Sequence, residues 1–373
     1  MAEPIKASPE RGVPRPNPMI EKLSPYQQGA AAVSGHDNPI KLSSNESPFG
    51  PSPLALKAYH DAAGQLCRYP DGTQSGLRRA IGEVFDLDPG RIVCGNGSEE
   101  LQLLLVRAFL RPGDEVIASE YSFIMGRIHA VAQGAEVVVA PEPEYSASAE
   151  AILSRVTPKT RMIMLASPNN PVGDYMRAEE LAHLVANVPS ETVIVYDGAY
   201  ADYVQAADYD PGFGLAAGAP NLAVTRTFSK LYGLAGLRIG WLYCHEALVD
   251  AVQRIRTPFN ANVAALAAAE AALRDREFAA GVRAHNARWL KQIGDGLERV
   301  GLHVFPSAAN FYLIRFPETG PLTADKAADF LLSRGIIPRP VSAGGPAGCL
   351  RITVGTDKEN EAVLRALTDF MAQ

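Results

Sequence analysis

The chain has 373 residues, of which 47% are hydrophobic and 20% are charged. These proportions are typical of a globular protein with a large core, they exclude a wholly disordered chain, and the length favours two to three domains of about 150 residues. The formal net charge is −6, and an acidic balance argues against a general nucleic-acid-binding surface.

The first residues are rich in proline, at positions 4, 9, 14, 16 and 18. Proline is excluded from helix interiors and from central strands, so residues 1 to about 20 are predicted to form an extended segment. We assign residues 1–45 to an N-terminal arm.

From about residue 90, short β-branched runs alternate with stretches of helical periodicity. Strands are predicted at 91–95, 115–119, 136–140, 161–166, 192–197, 222–227 and 238–243, and helices at 98–110, 122–133, 149–156 and 177–188. This alternation predicts an α/β fold, in which a mostly parallel central sheet is covered by helices on both faces.

After residue 243 the pattern changes. A helix at 245–256 precedes an alanine-rich stretch, 263–300, that indicates one or two long helices. Strands at 311–316 and 350–354 and helices at 325–334 and 358–370 follow. We therefore predict a large domain of residues 46–260 and a smaller α+β C-terminal domain of residues 261–373.

The four cysteines, at positions 67, 94, 244 and 349, lie far apart without a Cys-x-x-Cys pair. This spacing disfavours a structural zinc site and a disulfide framework. No uncharged run reaches the roughly 18 residues of a membrane-spanning helix, and the first twenty residues lack the apolar stretch of a secretory signal. We expect no metal, no membrane contact and a cytoplasmic location.

A glycine-rich turn, Gly95-Asn-Gly97, runs into the helix predicted to begin at Ser98. A helix N-terminus binds anions readily, because free N–H groups and the helix dipole both point there. The glycines could equally serve only a tight turn with Ser98 as the helix cap. A dinucleotide-binding fingerprint is excluded, because Glu100 occupies the position of its third glycine.

Two further strands end in polar residues. Asp197 ends the strand at 192–197, and Tyr200 follows three residues later. Ligands of open α/β sheets gather at the carboxyl ends of the strands, although a single acid there is also a common helix cap. The segment Ser167-Pro-Asn-Asn-Pro171 follows another strand and, by itself, indicates only a turn.

The segment that follows the strand at 222–227 has the densest chemistry. Thr227, Ser229, Lys230 and Arg238 lie there among glycines, and hydroxyl, guanidinium and exposed backbone groups suit an anionic phosphate. The lysine could be a phosphate contact or, if desolvated, a nucleophilic amine. The alternative is an ordinary strand-to-loop connection with a solvated lysine.

Together these strand ends supply the groups that pyridoxal phosphate requires. A lysine forms an imine with its aldehyde, an acid keeps its pyridine nitrogen protonated, and a separate cradle anchors its phosphate. Pyridoxal 5′-phosphate is therefore the predicted cofactor.

The sequence resembles the fold-type I, aspartate-aminotransferase-like enzymes and, within them, the histidinol-phosphate aminotransferases. The similarity runs from about residue 23 to the C-terminus and is most specific at 41–50 (KLSSNESPFG), 68–71 (RYPD), 167–171 (SPNNP), 227–238 (TFSKLYGLAGLR) and 349–355 (CLRITVG). It implies a pyridoxal-phosphate-dependent transferase that interconverts histidinol phosphate and 2-oxoglutarate with imidazole-acetol phosphate and glutamate.

The resemblance also implies roles for individual residues. Lys230 would be the Schiff-base lysine and proton shuttle, Asp197 would pair with the pyridinium nitrogen, and Asn170 and Tyr200 would bind the ring's 3′-oxygen. The residues implied to hold the phosphate are Ser98 and Glu99 through their backbone amides, Thr227 or Ser229, and Arg238. Phe123 would stack on the ring.

Four positions are implied to bind substrate. Arg351 would grip the α-carboxylate, and Tyr26, Asn45 and Arg339 would handle the distal end. Tyr69 matches the tyrosine that reaches the phosphate from a neighbouring subunit, which implies a homodimer. Surface ion pairing for the arginines and ordinary packing for the tyrosines are the alternatives.

The chain departs from the family pattern at Gly126, where a tyrosine is common, at Gly198, where glutamate or alanine is usual, and in the short loop 341–348. Gly126 and the loop are expected to remove bulk from the substrate pocket. An aromatic amino-acid aminotransferase, or another pyridoxal-phosphate enzyme acting on an amino acid, is therefore the alternative. A cofactor-binding regulator or a degenerate scaffold is disfavoured, because the lysine, acid and arginines are all retained.

Overall fold

The computed structural model describes residues 15–341 and 345–373. The strands are β1 (Ile40–Lys41), β2 (Ile92–Gly95), β3 (Glu115–Ser119), β4 (Glu136–Ala140), β5 (Thr160–Ala166), β6 (Val193–Asp197), β7 (Leu222–Thr227), β8 (Gly240–Cys244), β9 (His303–Val304), β10 (Phe311–Arg315), β11 (Ile336–Ile337), β12 (Arg339–Pro340) and β13 (Cys349–Thr353). The helices are α1 (Pro53–Ala62), α2 (Ser75–Phe85), α3 (Ser98–Phe109), α4 (Met125–Ala132), α5 (Ala149–Leu153), α6 (Ala178–Asn187), α7 (Phe213–Gly218), α8 (Glu246–Ile255), α9 (Val263–Arg274), α10 (Arg276–Glu298), α11 (Ala324–Ser333) and α12 (Asp357–Met371).

Within the described residues, seven strands form the large sheet, in the order β2-β8-β7-β6-β5-β3-β4. β8 is antiparallel to both of its neighbours, and every other adjacent pair is parallel. The predicted mostly parallel sheet is confirmed, and the predicted strand ends lie close to the observed ones.

Helices cover both faces of this sheet. Alternate residues of a strand face opposite sides, and in β6 Ile194 and Tyr196 join one buried apolar cluster whereas Val193 and Val195 join another. Side chains of α2, α6 and α9 belong to the first cluster, and side chains of α3 and α8 to the second. The carboxyl ends of β5, β6 and β7 are left to carry the polar residues.

Two helices, α1 and α2, precede the point near residue 90 at which the alternation is predicted to begin. Their starts do have sequence signals. Ser52 caps α1 by accepting a hydrogen bond from Ala55 N at 3.2 Å, and Pro53 occupies the first helical position. Before α2, Asp71 accepts hydrogen bonds from the backbone of Thr73 and Ser75.

The C-terminal part of the chain forms a smaller sheet. Apart from residues 342–344, which lie outside the described part, its strands are ordered β12-β13-β10-β9 and are antiparallel throughout. Helices α10, α11 and α12 contribute to its apolar core. The alanine-rich stretch is two helices, separated at Asp275, whose side chain caps α10.

The packing of α9 and α10 bears on the division into domains. Ala265 of α9 packs in the core of the large sheet. In α10, Ala279 packs in a small apolar cluster with Tyr203 and Leu231, and Trp289 lies in the apolar core of the smaller sheet. We therefore propose a boundary within α10 rather than at residue 260. The first 14 residues of the predicted arm lie outside the described residues, and β1 at its other end pairs in parallel with β11.

In the described part of the chain, no helix is both long enough and apolar enough to cross a membrane. The same residues contain no group of three or more His, Cys, Asp or Glu side chains that could hold a metal ion.

Candidate active site

Lys230 lies in the loop that follows β7. Its Nζ donates a hydrogen bond to the Ser44 carbonyl oxygen at 3.2 Å and lies 5.7 Å from the centroid of the Tyr200 ring. Burial lowers the pKa of Lys230 to about 8, and the positive charge of Arg351 acts in the same direction. At this pKa about a tenth of the amine is neutral at pH 7, far more than for a free lysine, and the neutral form is the one that acts as a nucleophile.

Asp197 lies at the carboxyl end of β6, in the strand next to the one that precedes Lys230. Thr225 Oγ1 donates a hydrogen bond to Asp197 Oδ1 at 2.9 Å. Burial raises the pKa of Asp197, and the hydrogen bond from Thr225 and the charge of Lys230 oppose that rise. Asp197 and Phe123 line the same narrow cavity. A protonated heterocycle that lay against the Phe123 ring would therefore lie close to the Asp197 carboxyl group.

An anion cradle forms where α3 begins. Thr227 Oγ1 donates to Ser229 Oγ at 2.9 Å, and Arg238 Nη1 donates to the same oxygen at 3.3 Å. The first amides of α3, including those of Ser98 and Glu99, have no acceptor within the helix. Hydroxyl, guanidinium and helix N-terminus thus converge on one place, which suits a phosphate.

Two glycines make this convergence possible. Gly97 has a φ of +85°, and a Cβ there would lie 2.6 Å from Arg238 Nη2. A Cβ at Gly240 would collide with the backbone nitrogen of Ser98. The start of α3 can therefore approach β8 and Arg238 only because side chains are absent at both positions.

Arg351, in β13, reaches the site from the smaller sheet. It is 8% exposed, its Nη1 donates to Asn170 Oδ1 at 2.6 Å, and its Nη2 donates to the Ser43 carbonyl oxygen at 2.7 Å. Burial lowers the pKa of Arg351. Its Nε is buried and has no hydrogen-bond acceptor among the described residues, so this guanidinium can still bind an anion.

Asn45 is buried beside Tyr200. Its Nδ2 donates to Tyr200 Oη at 2.8 Å, and its backbone N–H donates to Thr353 Oγ1 at 2.9 Å. Asn45 has a left-handed backbone, with a φ of 55°. The structure therefore places Asn45 against the tyrosine, whereas the resemblance implies a position at the distal end of the substrate.

A cavity of about 600 Å³ opens beside Arg351 and Asn170. Tyr26, Phe123 and Arg339 also line it. Arg339 Nη2 donates to the Gln27 carbonyl oxygen at 2.9 Å, and its guanidinium lies 5.9 Å from the Tyr26 ring centroid. The cavity therefore combines two arginines with aromatic walls.

Tyr69 lies apart from these residues. Its side chain is 82% exposed and stacks on Phe259, with 4.6 Å between the ring centroids. Within the described part of one chain it makes no hydrogen bond to the other predicted site residues. A role at the site would therefore require a second subunit.

Gly126 lies in helix α4, and the space beside it is occupied by a residue of strand β5. A Cβ at position 126 would lie 2.6 Å from the Sδ atom of Met164 in β5. The absent ring is thus partly replaced by a methionine, whereas we expected a wider pocket. At Gly198, a Cβ would lie 2.8 Å from Cδ of the buried Arg226, which accounts for a glycine there. Residues 342–344 of the loop 341–348 lie outside the described residues.

Sequence reasoning missed several supporting residues. Thr225 is the clearest, because it lies two residues before Thr227 on β7 and a strand repeats every two residues. The buried, hydrogen-bonded pair Glu142 and Asn169 was also missed. Asn169 accepts a hydrogen bond from the backbone N–H of Asn170. Glu142 gives no sequence signal, since it stands in a Pro-Glu-Pro-Glu segment typical of a solvated loop.

Known proteins share the sequence pattern and the fold of this chain. The family model for aminotransferase class I and II matches residues 37–367. Histidinol-phosphate aminotransferases from Rhodopseudomonas palustris (strain BisA53) and Paramagnetospirillum magneticum are 46% identical over 361 residues and 45% identical over 358, each covering 96% of this chain and 99% of the relative.

A solved structure with the same architecture is histidinol-phosphate aminotransferase from Sinorhizobium meliloti in complex with pyridoxal-5′-phosphate. Its TM-score to this chain is 0.88 at 29% identity, covering 97% of this chain and 99% of that chain. The expected fold-type I architecture is confirmed. The chain belongs to the class I and II aminotransferases.

Proposed function

We propose that the chain is a pyridoxal-phosphate-dependent aminotransferase that exchanges an amino group between histidinol phosphate and 2-oxoglutarate. The observation that carries the proposal is the grouping of a partly neutral lysine, a half-buried carboxyl group and an anion cradle at adjoining strand ends. The identity of about half the residues to enzymes of that name, over nearly the whole chain, supports the choice of substrate.

The residues present fit pyridoxal phosphate. Its phosphate would be held by the first amides of α3, by Thr227 and Ser229, and by Arg238, in a cradle that a side chain at Gly97 would fill. The ring would lie against Phe123, with Asp197 at its nitrogen; Asn170 and Tyr200 would bind its 3′-oxygen. When bound, the cofactor supplies an aldehyde and an electron-withdrawing ring.

The chain's own groups then bind substrate and move protons. Lys230, partly neutral near pH 8, would take a proton from the substrate α-carbon and deliver it to carbon C4′ of the cofactor, and it would move a proton in the opposite direction in the reverse half-reaction. Arg351 binds the α-carboxylate of glutamate with paired hydrogen bonds. Arg339, which pairs with Arg351 across strands β12 and β13, and Tyr26 also line the cavity. They bind the distal anionic group, which is a carboxylate in glutamate and a phosphate in histidinol phosphate.

The test is a set of donor half-reactions followed through the cofactor spectrum. Histidinol phosphate, phenylalanine, tyrosine and aspartate are offered separately to the purified holoenzyme, with Lys230→Ala as the inactive control. We expect histidinol phosphate to convert the cofactor fastest. Conversion by phenylalanine but not by histidinol phosphate would instead establish the aromatic aminotransferase, and a wild type that is colourless and cannot be reconstituted would reject both.

We also propose a homodimer with shared active sites. Exposed apolar side chains lie on α1 and in the segments around Tyr69 and Phe259: Leu54, Leu56, Tyr59, Leu66, Tyr69 and Phe259. Mixing Tyr69→Ala with Lys230→Ala should restore activity above the sum of the separate variants, because one site of the hybrid has both residues. Additive activities, or a monomer by sedimentation, would contradict the shared site. A cytoplasmic location stays a prediction from the sequence.

A further inference from the structure

Glu142 is a buried carboxyl group that the proposed chemistry does not use. It follows β4, close to the carboxyl edge of the large sheet, and is 5% exposed. Asn169 Nδ2 donates to its two oxygens at 3.0 and 3.3 Å, and the backbone N–H of Tyr121 donates to Oε1 at 3.2 Å. One side chain thus joins the segments that follow β3 and β5.

Each of these segments carries a residue of the site. Asn169 Oδ1 accepts a hydrogen bond from the backbone N–H of Asn170 at 2.8 Å, and Asn170 Oδ1 accepts from Arg351 Nη1 at 2.6 Å. The chain of hydrogen bonds therefore runs without interruption from Glu142 to the guanidinium in the substrate cavity. On the other side, Tyr121 lies two residues before Phe123.

The groups that face Glu142 are of both charges. Glu120 Oε2 accepts a hydrogen bond from the Glu142 backbone N–H at 3.2 Å, and the charge of Glu120 adds to the effect of burial on Glu142. Arg127 of α4, which donates to the Glu120 carbonyl oxygen at 2.8 Å, provides the nearby positive charge. The phenol of Tyr121 is also close. Burial is the largest cause that raises the pKa of Glu142, to about 7.

We propose that Glu142 is a positioning residue for this active site: by accepting from Asn169 and Tyr121 together, it fixes the orientation of the Asn170–Arg351 pair and of the segment that carries Phe123. Its effect on turnover rests on the proposed function, whereas its effect on the two segments does not. A carboxylate suits the position, since both of its oxygens can accept from the Asn169 amide, and only one atom of a neutral amide can.

The decisive variant is Glu142→Gln, compared with Glu136→Gln. Glu136 lies at the start of β4, the strand that precedes Glu142, and is exposed, so this control removes the same charge and leaves the hydrogen bonds of Glu142 intact. In the holoenzyme we expect Glu142→Gln to raise the KM for 2-oxoglutarate about tenfold, with a smaller change in kcat. The reason is that the variant weakens a hydrogen bond to a charged group, and that group orients Arg351 through Asn169 and Asn170. The Glu136→Gln variant should match the wild type.

Hydrogen exchange provides a readout that does not depend on activity. In the cofactor-free protein, peptides covering 119–124 and 167–171 should exchange faster in Glu142→Gln than in Glu136→Gln. If the wild type lacks turnover, the proposed function fails, and the exchange rates still decide the role of Glu142. If both variants match the wild type in exchange and in KM, the role of Glu142 is refuted.

A second measurement covers a Glu142→Gln variant that does not fold. In the wild type, exchange of the same two segments, divided by the intrinsic rate at each pH, should be faster at pH 6 than at pH 8, because a protonated carboxyl group keeps one good acceptor oxygen. Segments in Glu136→Gln should show the same pH dependence. Exchange that is equal at both pH values would overturn the proposal.

Discussion

The two ends of the active site are built in different ways. The end around Lys230 and Asp197 lies at the carboxyl edge of the central sheet, where Thr225 of β7 donates to Asp197, Thr227 donates to Ser229, and Lys230 donates to the Ser44 carbonyl oxygen. The other end is a cavity of about 600 Å³. Its walls include Tyr26 and Phe123, which are 43% and 40% exposed. The carboxyl ends of the central strands thus carry the reaction, whereas residues distant in sequence, on the small sheet and in irregular segments, carry the choice of substrate.

The first way to break this comparison is Asp197→Asn. Asparagine keeps the size and the hydrogen bond from Thr225 but loses the charge opposite a protonated ring nitrogen. We expect kcat to fall about 10²–10³-fold, as for other losses of preorganised electrostatic stabilisation, with the KM for 2-oxoglutarate nearly unchanged. A variant with normal kcat, or one altered only in KM, would show that the two ends are not separate in function.

A second test compares Arg351 and Arg339, the two arginines that line the substrate cavity. Arg351→Lys removes the planar fork but keeps a charge, and without paired hydrogen bonds to a carboxylate the KM for glutamate and 2-oxoglutarate should rise about 10–100-fold. Arg339→Lys is its counterpart, and we expect it to raise KM most for donors that carry a distal phosphate. Steady-state kinetics with glutamate and histidinol phosphate measure both. Equal effects on both donors would contradict the assigned positions.

A third test concerns the protonation of Lys230. Burial lowers its pKa from 10.5 to about 8, so the neutral fraction of the amine falls about tenfold for each pH unit below 8 and levels off above it. The rate at which the cofactor-free protein captures pyridoxal phosphate should follow the same curve, whereas the rate for a free lysine derivative, measured in parallel, should keep rising to about pH 10. Glu46→Gln should move the midpoint lower, because the charge of Glu46 raises the pKa of Lys230. A midpoint near 10 in the wild type would contradict the burial argument.

The difference between the two ends also explains what the sequence could predict. Asp197, Thr227 and Lys230 stand at strand ends, so an alternating pattern of strands and helices places them at one edge of a sheet. Asn45 shows the limit. Its hydrogen bond to Tyr200 depends on how the end of the N-terminal arm packs against both sheets. No local sequence pattern predicts that packing. The filling of the Gly126 site by Met164 is of the same kind, because the two residues come from different elements.

The smallest effect we expect is at this last pair. Gly126→Ala places a methyl group against Met164 Sδ, and overpacking of this kind costs about 1–3 kcal/mol. Met164→Ala leaves a cavity and costs about 2–5 kcal/mol. The double variant should lose less than the sum, because the new methyl group occupies part of that cavity. Free energies of unfolding from denaturant titration measure all three. Strictly additive losses would mean that Met164 does not fill the space beside Gly126. The narrow cavity at Asp197 would then extend toward the substrate cavity, as expected from the absence of a tyrosine at position 126.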